Sequence, residues 1–295
     1  MVRRRLAKQN SLGGAVMKRF FPIALILLGG IAALAQPRWG VEEDAVRQRG
    51  IDLLICLDVS RSMLARDLAP DRLQRARLEL QELITTLGAD RIGLILFAGE
   101  AQRAAPLTSD HASFLSLLDL ASPSSVRQGG TDLAAALSQA RLLLEAAPGT
   151  QKNVLLITDG EDRGGRALAE AEQCRAAGII LHTLGVGTEQ GSKITLTDGD
   201  GSEFYLKNDD GVEVISKLDR SSLVQMAELS GGRAIQLNAK PGVLREWYLQ
   251  TLLPRARNAA TGDPDLERAN RYQYPLTLAL IGALMAMAGF GRRKS

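Results

Sequence analysis

Short apolar runs alternate along the chain with amphipathic helical patterns. The first run spans residues 51–57 and ends at an acidic turn, and four later runs are similarly apolar. These later runs are residues 92–97, 154–157, 179–186 and 234–237. Runs of this kind are typical of strands buried on both faces. The alternation predicts an α/β fold, doubly wound around a mostly parallel central sheet that helices flank on both sides.

Helices are predicted between these strands from apolar residues at helical spacing. They are residues 73–87, 110–120, a helix capped by Thr131 that ends at Pro148-Gly149, 166–177 and 221–229. Residues 191–217 break the alternation, because they are polar and contain three Asp-Gly turns. We interpret this segment as a small β-hairpin insertion. Its DGDG run is not an EF-hand, since Glu203 stands where that loop requires glycine.

Two charge-free apolar segments lie near the ends of the chain, within residues 20–36 and 272–291. The second is long enough to span a bilayer, whereas the first is short for a spanning helix. The first is either a signal anchor or a cleavable signal peptide, because Ala33-Leu34-Ala35 has the form of a cleavage site. We therefore predict membrane helices at both ends. The other predicted parts are a domain at 37–255, with its core at 50–237, and a linker at 256–271.

Positive charge flanks the outer end of each apolar segment. Residues 1–19 contain six basic residues and no acids, and residues 292–295 contain Arg292, Arg293 and Lys294. By the positive-inside rule, both termini are cytoplasmic tails and the domain between the two segments is exported. In a bacterium this predicts the inner (cytoplasmic) membrane, with the domain on the periplasmic side.

The net charge of +3 comes from these tails. Residues 1–19 and 274–295 hold 6 and 3 of the 36 basic residues, which leaves 27 basic against 33 acidic residues elsewhere. The central part therefore lacks the basic surface that binding of nucleic acid requires. Cys56 and Cys174 are too few for a disulfide framework, and we interpret them as two separate buried residues. His182 lies in an apolar run and is expected in the core.

Oxygen donors follow the predicted strands at three points. Asp58, Ser60 and Ser62 follow the first run, Thr131 lies at the turn into a helix, and Asp159 closes the run at 154–157. Parallel sheets place their sites outside the carboxyl ends of strands, so these side chains can converge. Two carboxylates and three hydroxyls suit a hard cation, Mg²⁺ first, with Mn²⁺ or Ca²⁺ as alternatives. The competing interpretation is that the two aspartates are helix N-caps and turn residues.

Asp132, which follows Thr131, also has two interpretations. It either accepts hydrogen bonds that hold the metal-site loop from outside the coordination sphere, or it is an acid favoured by the dipole at a helix N-terminus. The sequence does not distinguish the two.

Three motifs carry a resemblance to a known family. DVSRS (58–62), GGTD (129–132) and LLITDG (155–160), in this order, resemble the metal-ion-dependent adhesion site (MIDAS) of von Willebrand factor A (VWA) domains. The resemblance spans roughly residues 50–237 and implies a Rossmann-like VWA fold. It implies that Ser60, Ser62 and Thr131 coordinate the cation through hydroxyls, while Asp58 and Asp159 act directly or through water. It also implies that an acidic side chain of a partner protein completes the coordination.

A narrower resemblance, to the membrane-anchored aerotolerance (Bat) proteins, covers nearly the whole chain. Its carriers are QPRWG (36–40), DRIGLILFAGEAQRAAPLTSDH (90–111), SKLDRSSLVQMAELSGGRA (216–234) and YQYPL (272–276). These proteins often have two membrane segments before the VWA domain, whereas one is predicted here, so the subgroup stays open. The resemblance implies operation beside a MoxR-type AAA+ ATPase and sister VWA membrane proteins, in an assembly or stress-tolerance complex.

The sequence as a whole predicts a membrane-anchored, metal-dependent protein-binding module with no enzymatic activity. No G-x-S-x-G or Ser-x-x-Lys signature surrounds Ser60 or Ser62, and neither histidine has an evident route to them. In this prediction, an Asp or Glu of the partner displaces water from the cation, so that partner binding depends on metal. Two alternatives stay open: a structural membrane scaffold whose metal only stabilises loops, and a metal-dependent hydrolase.

Overall fold

The computed structural model describes residues 20–41, 51–88, 90–147, 151–162, 165–237, 240–256 and 268–291. They form two compact units. The larger consists of the described residues between 46 and 262, and the smaller of those within 1–45 and 263–295. The predicted tails at 1–19 and 292–295, and residues 257–267 of the predicted linker, lie outside the described residues.

Strands and helices alternate through the larger unit. The strands of the chain, in order, are β1 (Arg38–Val41), β2 (Asp52–Asp58), β3 (Arg91–Phe97), β4 (Ala101–Thr108), β5 (Lys152–Thr158), β6 (Ile180–Gly185), β7 (Ser192–Lys193), β8 (Thr195–Thr197), β9 (Glu203–Tyr205), β10 (Ile215–Ser216), β11 (Ala234–Gln236) and β12 (Arg268–Asn270). The helices are α1 (residues 20–34), α2 (Arg72–Ile84), α3 (His111–Asp119), α4 (Leu133–Glu145), α5 (Ala167–Ala176), α6 (Arg220–Leu229), α7 (Val243–Trp247) and α8 (Gln273–Gly291). Helix α7 continues through a π-helical turn at Tyr248–Leu252 to residue 256.

A six-stranded sheet forms the centre of the larger unit, in the order β11-β6-β5-β2-β3-β4. All neighbouring strands are parallel except β3 and β4, which are antiparallel. The four inner strands correspond to apolar runs of the sequence, and every residue of β2 is buried. The predicted α/β fold with a mostly parallel sheet is confirmed.

Each face of this sheet carries its own hydrophobic core. Leu53, Ile55 and Leu57 of β2 belong to one core, and Leu54 and Cys56 belong to the other. This division follows from the alternation of side chains along a strand. Helices α2, α3 and α7 cover the first face, and α4, α5 and α6 cover the second. The helices therefore flank the sheet on both sides, as predicted.

Three chemically active side chains are core residues. Cys56 and Cys174 are free and buried, in agreement with the interpretation from sequence. Burial raises the pKa of the Cys56 thiol far above its ordinary value, and it raises the pKa of Cys174 to about 11. Both thiols are therefore protonated and poorly nucleophilic at neutral pH. His182 on β6 is fully buried, as expected.

Two local features differ from the sequence-based expectations. The pattern does not predict β4, an edge strand in which exposed polar residues and Pro106 mask the periodicity. Helix α4 has Asp132 as its N-cap, so Thr131 precedes the cap instead of forming it. The Asp132 carboxylate accepts a hydrogen bond from the third amide of the helix, that of Ala135, which is the bond that defines an N-cap.

The insertion at 191–217 consists of two short antiparallel pairs. Strand β7 pairs with β10 at its base, and β8 and β9 form a hairpin beyond that base. Ile194 forms an isolated bridge with Ala65, so the insertion lies against the segment that follows β2. The predicted hairpin is therefore present and sits beside the candidate site.

The smaller unit contains two apolar helices, α1 and α8, and an antiparallel pairing of β1 with β12. A Cβ atom on Gly29 would lie 2.7 Å from the Pro275 carbonyl oxygen, and one on Gly282 would lie 2.9 Å from that of Pro22. Glycine at these two positions allows the helices to approach closely. Strand β12 occupies part of the predicted linker. No helix in the described part of the chain has both the length and the mean hydropathy that crossing a membrane requires.

Candidate metal centre

The five candidate residues lie at the carboxyl end of the central sheet. Asp58 is the last residue of β2, and Asp159 directly follows the neighbouring strand β5. Ser60 and Ser62 belong to the turn after β2, and Thr131 precedes α4. Each of the five is less than a tenth exposed. All five residues thus lie at the carboxyl edge of the sheet, which is where parallel sheets form their binding sites.

Asp58 is held by hydrogen bonds to both of its carboxylate oxygens. Its Oδ1 accepts from the backbone N–H of Ser60 at 2.8 Å, and its Oδ2 accepts from the Thr158 hydroxyl at 2.7 Å. Burial, together with the negative charge of Asp159, raises the pKa of Asp58 to about 7. The carboxylate is oriented, yet no cation among the described residues pairs with it.

The two serines present their hydroxyls side by side. Ser60 Oγ lies 2.9 Å from Ser62 Oγ, because the turn between them is a 3-10 helix that starts at Arg61. Ser62 also acts on Asp159, because its side chain lowers the pKa of that carboxyl group. Hydrogen bonds therefore join Asp58, Ser60 and Ser62, and the charge of Asp159 acts on Asp58.

Asp159 lies in a network on the other side of the site. Its Oδ1 accepts from the Glu161 N–H at 3.2 Å, and its Oδ2 accepts from Ser216 Oγ and Arg72 Nη1, each at 3.1 Å. Burial raises the pKa of Asp159, although the nearby Ser62 side chain and the charge of Arg72 oppose this shift. The bonds to Ser60 and Glu161 show that both aspartates also stabilise turns, which is the competing interpretation. Neither aspartate is a helix N-cap in the described structure.

Arg72 is fully buried at the first position of α2 and is the residue that the sequence analysis missed. Its Nε and Nη2 donate to the two oxygens of Asp67, each at 2.8 Å, while its Nη1 donates to Asp159 and to Ser216 Oγ. Asp67 in turn accepts from the N–H and the hydroxyl of Thr188. Arg72 therefore ties the candidate site to the base of the insertion.

Nothing in the sequence pattern distinguishes this arginine. A charged residue beside a helix cap is normally exposed, and Arg72 directly follows Asp71, the N-cap of α2. Thr158 had a weak signal, because it belongs to the LLITDG motif, but its role as a donor to Asp58 depends on the pairing of β2 with β5.

Thr131 lies on a loop that is fastened to the end of β3. The N–H of Asp132 donates to the Ala98 carbonyl at 2.7 Å, and that of Gly99 donates to the Gln128 carbonyl at 2.9 Å. A Cβ atom on Gly99 would lie 2.3 Å from the Gly129 carbonyl oxygen, so only glycine fits there. The loop holds Thr131 at the same sheet edge as the other four, although no hydrogen bond between Thr131 and them is described.

Asp132 has a defined structural role. Its Oδ1 accepts from the N–H of Ala135 at 2.9 Å, and its Oδ2 forms an ion pair with Arg166 at 3.2 Å. The first contact makes it the N-cap of α4, and its own N–H fixes the loop. Whether it also supports a metal ligand stays a prediction.

The donor set fits a hard divalent cation. Within the described residues, Arg72 is the only positive group paired with Asp58 or Asp159, and it is shared with Asp67. With Asp58, Asp159 and Asp67 all ionised, the single guanidinium would leave two negative charges uncompensated, and a divalent cation would balance them. No group of three His, Cys, Asp or Glu side chains in the described ranges could serve instead. Any cation here would need the hydroxyl oxygens, as hard cations accept.

Known proteins with similar sequences and structures cover the same region. A family model described as the von Willebrand factor type A domain matches residues 53–161. An aerotolerance-related membrane protein from Bacteroides fragilis is 30% identical with a TM-score of 0.65, over 70% of this chain and 100% of that one. BatB, a conserved hypothetical protein from Bacteroides thetaiotaomicron, is 28% identical with a TM-score of 0.66, over 71% and 100%.

A curated relative extends the match. A UPF0353 protein from Nocardia farcinica is 26% identical over 229 residues, which cover 72% of this chain and 66% of that protein. The matched region spans just under two thirds of the length of the curated relatives that it resembles. From the family model, the structural similarity to both Bacteroides proteins and the 30% identity to the Bacteroides fragilis protein, it follows that the chain belongs to the von Willebrand factor A domain family, in the group of the aerotolerance-related Bat proteins.

Proposed function

We propose that this VWA domain binds a divalent cation and uses it to bind a protein partner, and that it is not an enzyme. The observation that carries the proposal is the pair of fully buried carboxylates, Asp58 and Asp159. The cation paired with Asp159 is Arg72, which also pairs with Asp67. Buried charges without partners are costly, so such a pair is retained where a cation compensates it.

The ligands in this proposal are the hydroxyls of Ser60, Ser62 and Thr131 and the carboxylates of Asp58 and Asp159. The hydrogen bonds from Thr158 and the Ser60 N–H orient one carboxylate, and those from Arg72 and Ser216 orient the other. When bound, the cation supplies positive charge and an open coordination position for an Asp or Glu of the partner. Mg²⁺ is the first choice for an oxygen-only set, with Mn²⁺ or Ca²⁺ as alternatives.

Calorimetric titration tests the metal site. We expect Mg²⁺ and Mn²⁺ to bind the full chain, solubilised in detergent, with one cation per chain. Asp58→Asn should weaken binding by about 100-fold or more, because it removes an anionic ligand while it keeps the side-chain shape. Asp110→Asn, which changes an exposed N-cap of α3, is the matched control and should bind as the wild type does. Equal affinity in Asp58→Asn, or no saturable binding by folded wild type, would contradict the proposal.

The proposal includes an assembly. We propose that sister VWA membrane proteins and a MoxR-type AAA+ ATPase work with this chain in an assembly or stress-tolerance complex, on the strength of its membership in the Bat group. Partners that bind through the cation should co-purify with wild type in Mg²⁺ and be lost in EDTA and in Asp58→Asn. Recovery that is the same in all three conditions would favour a metal-independent scaffold.

We also propose that the chain is held at the inner membrane, with the VWA domain on the exported side and both termini in the cytoplasm. Support comes from the Bacteroides fragilis relative, which is described as a membrane protein, and from the basic residues outside the two apolar segments. Alkaline phosphatase should be active when it is inserted at Gly262 and inactive when it is fused after Ser295. The reverse pattern would overturn this orientation.

A further inference from the structure

A groove lies between the turn that follows β2 and the hairpin of the insertion. Arg61, Leu64 and Arg66 line one side, and Leu196 of β8 and Phe204 of β9 line the other. Its volume is about 660 Å³. This lies within the range of pockets that hold a drug-sized ligand, on the order of 300–1,000 Å³.

The groove adjoins the turn that carries two of the candidate metal ligands. Arg61 stands between Ser60 and Ser62 in the chain, and the 3-10 turn buries the two serines while it exposes the arginine. The insertion is fastened to the same segment by the Ile194–Ala65 bridge and by the ion pair of Arg66 with Glu203. Arg61 therefore belongs both to the turn that carries two candidate metal ligands and to the lining of the groove.

The charges around the groove are unevenly compensated. Both Nη atoms of Arg66 donate to Glu203, and the Asp71 carboxylate accepts from the Gln74 N–H as the N-cap of α2. Arg61 has no ion pair in the described structure, and it is exposed. A second acidic group on the ligand would complement Arg61, since the other charged side chains of the groove already have partners.

The hairpin side of the groove presents apolar side chains beside the threonines of β8. Phe204 is 48% exposed, although it is a large hydrophobic residue, and it faces the groove together with Leu196 and Leu64. Exposed apolar area beside a polar rim is typical of surfaces that bind a partner. The groove thus combines exposed apolar side chains, one guanidinium without an ion pair in the described structure, and a position in the chain beside two candidate metal ligands.

We propose that this groove is the specificity surface of the metal centre and that its occupant is an extended acidic segment of a partner protein. One Asp or Glu of this segment ligates the cation. A Leu or Phe within two positions of it, about 7 Å along an extended chain, packs against Phe204. A second acidic residue pairs with Arg61. This inference rests on the proposed function, because it takes metal ligation as the anchor of the segment.

The test is an array of synthetic nonapeptides with a central Asp, in which the other positions are changed singly from Ala to Leu, Glu or Lys. The full chain in detergent is applied in MnCl₂ or in EDTA. We expect capture in MnCl₂ to rise about five- to tenfold with Leu within two positions of the Asp and with Glu farther along the same side. Phe204→Ala should remove the preference for Leu, and Arg61→Ala should remove the preference for Glu.

Two matched variants control for general effects. Val212→Ala truncates another exposed apolar residue of the insertion, and Arg103→Ala removes an exposed arginine of β4; both should keep the wild-type preferences. Two results would overturn the proposed role of the groove and leave the proposed function standing. One is capture that needs Mn²⁺ but shows no preference for Leu or Glu. The other is a preference that survives in Phe204→Ala and Arg61→Ala. Capture that is equal in EDTA overturns the proposed function itself. A metal-dependent dimer that Phe204→Ala dissolves would assign the groove to a second copy of the chain instead.

Discussion

Replacement of Arg72 by methionine is expected to lower the free energy of unfolding by about 3–5 kcal/mol in metal-free buffer. The guanidinium is fully buried and donates to Asp67, Asp159 and Ser216. Methionine fills much of the same volume but leaves two buried carboxylates without a counter-charge. Most of the loss therefore comes from the unpaired acids and not from a cavity.

Arg66→Met is the matched control, because Arg66 also forms a two-bond pair with a carboxylate, that of Glu203. The side chains of that pair are 48% and 52% exposed, so solvent replaces the lost interaction and no resolvable change in stability is expected. Urea unfolding followed by circular dichroism measures both variants. Equal stability of Arg72→Met and Arg66→Met would show that the buried network contributes no more than a surface pair.

The second large effect is a dependence of stability on pH that comes from His182. Its Nδ1 accepts from the N–H of Arg233 at 3.1 Å, and its ring lies edge-on to Trp247, with centroids 4.9 Å apart. Burial, reinforced by the charges of Arg255 and Arg233, lowers the pKa of His182 to about 3. Protonation would also place a second N–H against that of Arg233. The unfolded chain, with an ordinary histidine pKa of about 6.5, binds the proton first.

The direction of the effect follows from this order of protonation. Stability that is present above pH 6.5 is lost as the pH falls toward 3, because the unfolded state takes up the proton. Asp58 acts in the opposite sense in the metal-free chain, since its pKa of about 7 favours the folded state at lower pH. The two slopes partly cancel, so the wild-type profile alone does not report on either group.

The difference between wild type and His182→Gln isolates the histidine. From pH 7.5 to pH 4.5 the variant should gain about 2.5 kcal/mol relative to wild type, because it lacks the group that the unfolded state protonates. Urea unfolding of both chains at each pH, without metal, gives this quantity. A difference that does not change with pH would mean that His182 titrates normally in the folded protein.

Much of the fold was predictable because its signals are local. Strands β2, β3, β5 and β6 are buried on both faces. Strands of this kind have nearly continuous apolar sequences, which can be recognised without a structure. Strand β4 has one partner and an exposed side, so its residues carry no such pattern. Helix α7 and its π-helical continuation were likewise not assigned, because their covered residues are few and are spread over short turns.

The candidate centre divides in the same way. Asp58, Ser60, Ser62, Thr131 and Asp159 were found because each follows a strand or precedes a helix, and the structure brings them to one edge. Contacts between distant segments were not predictable. Arg72 meets Ser216 and Asp159 at separations of 144 and 87 residues, and nothing in the local sequence encodes these meetings. The groove beside Arg61 was not predictable from the sequence for the same reason, because it forms only where the insertion packs against the turn after β2.

The two edge strands of the central sheet, β4 and β11, affect how readily the folded protein aggregates at high concentration. An edge strand offers unpaired N–H and carbonyl groups to a strand of another molecule, and long, flat, apolar edges promote aggregation. Strand β4 carries Pro106, which has no N–H to donate, and the exposed Arg103, and its register with β3 is irregular. Strand β11, at the other margin, is only three residues long. Neither edge strand offers a long, regular row of backbone groups to a strand of another molecule. We therefore expect this domain to resist aggregation through edge-strand pairing at high concentration.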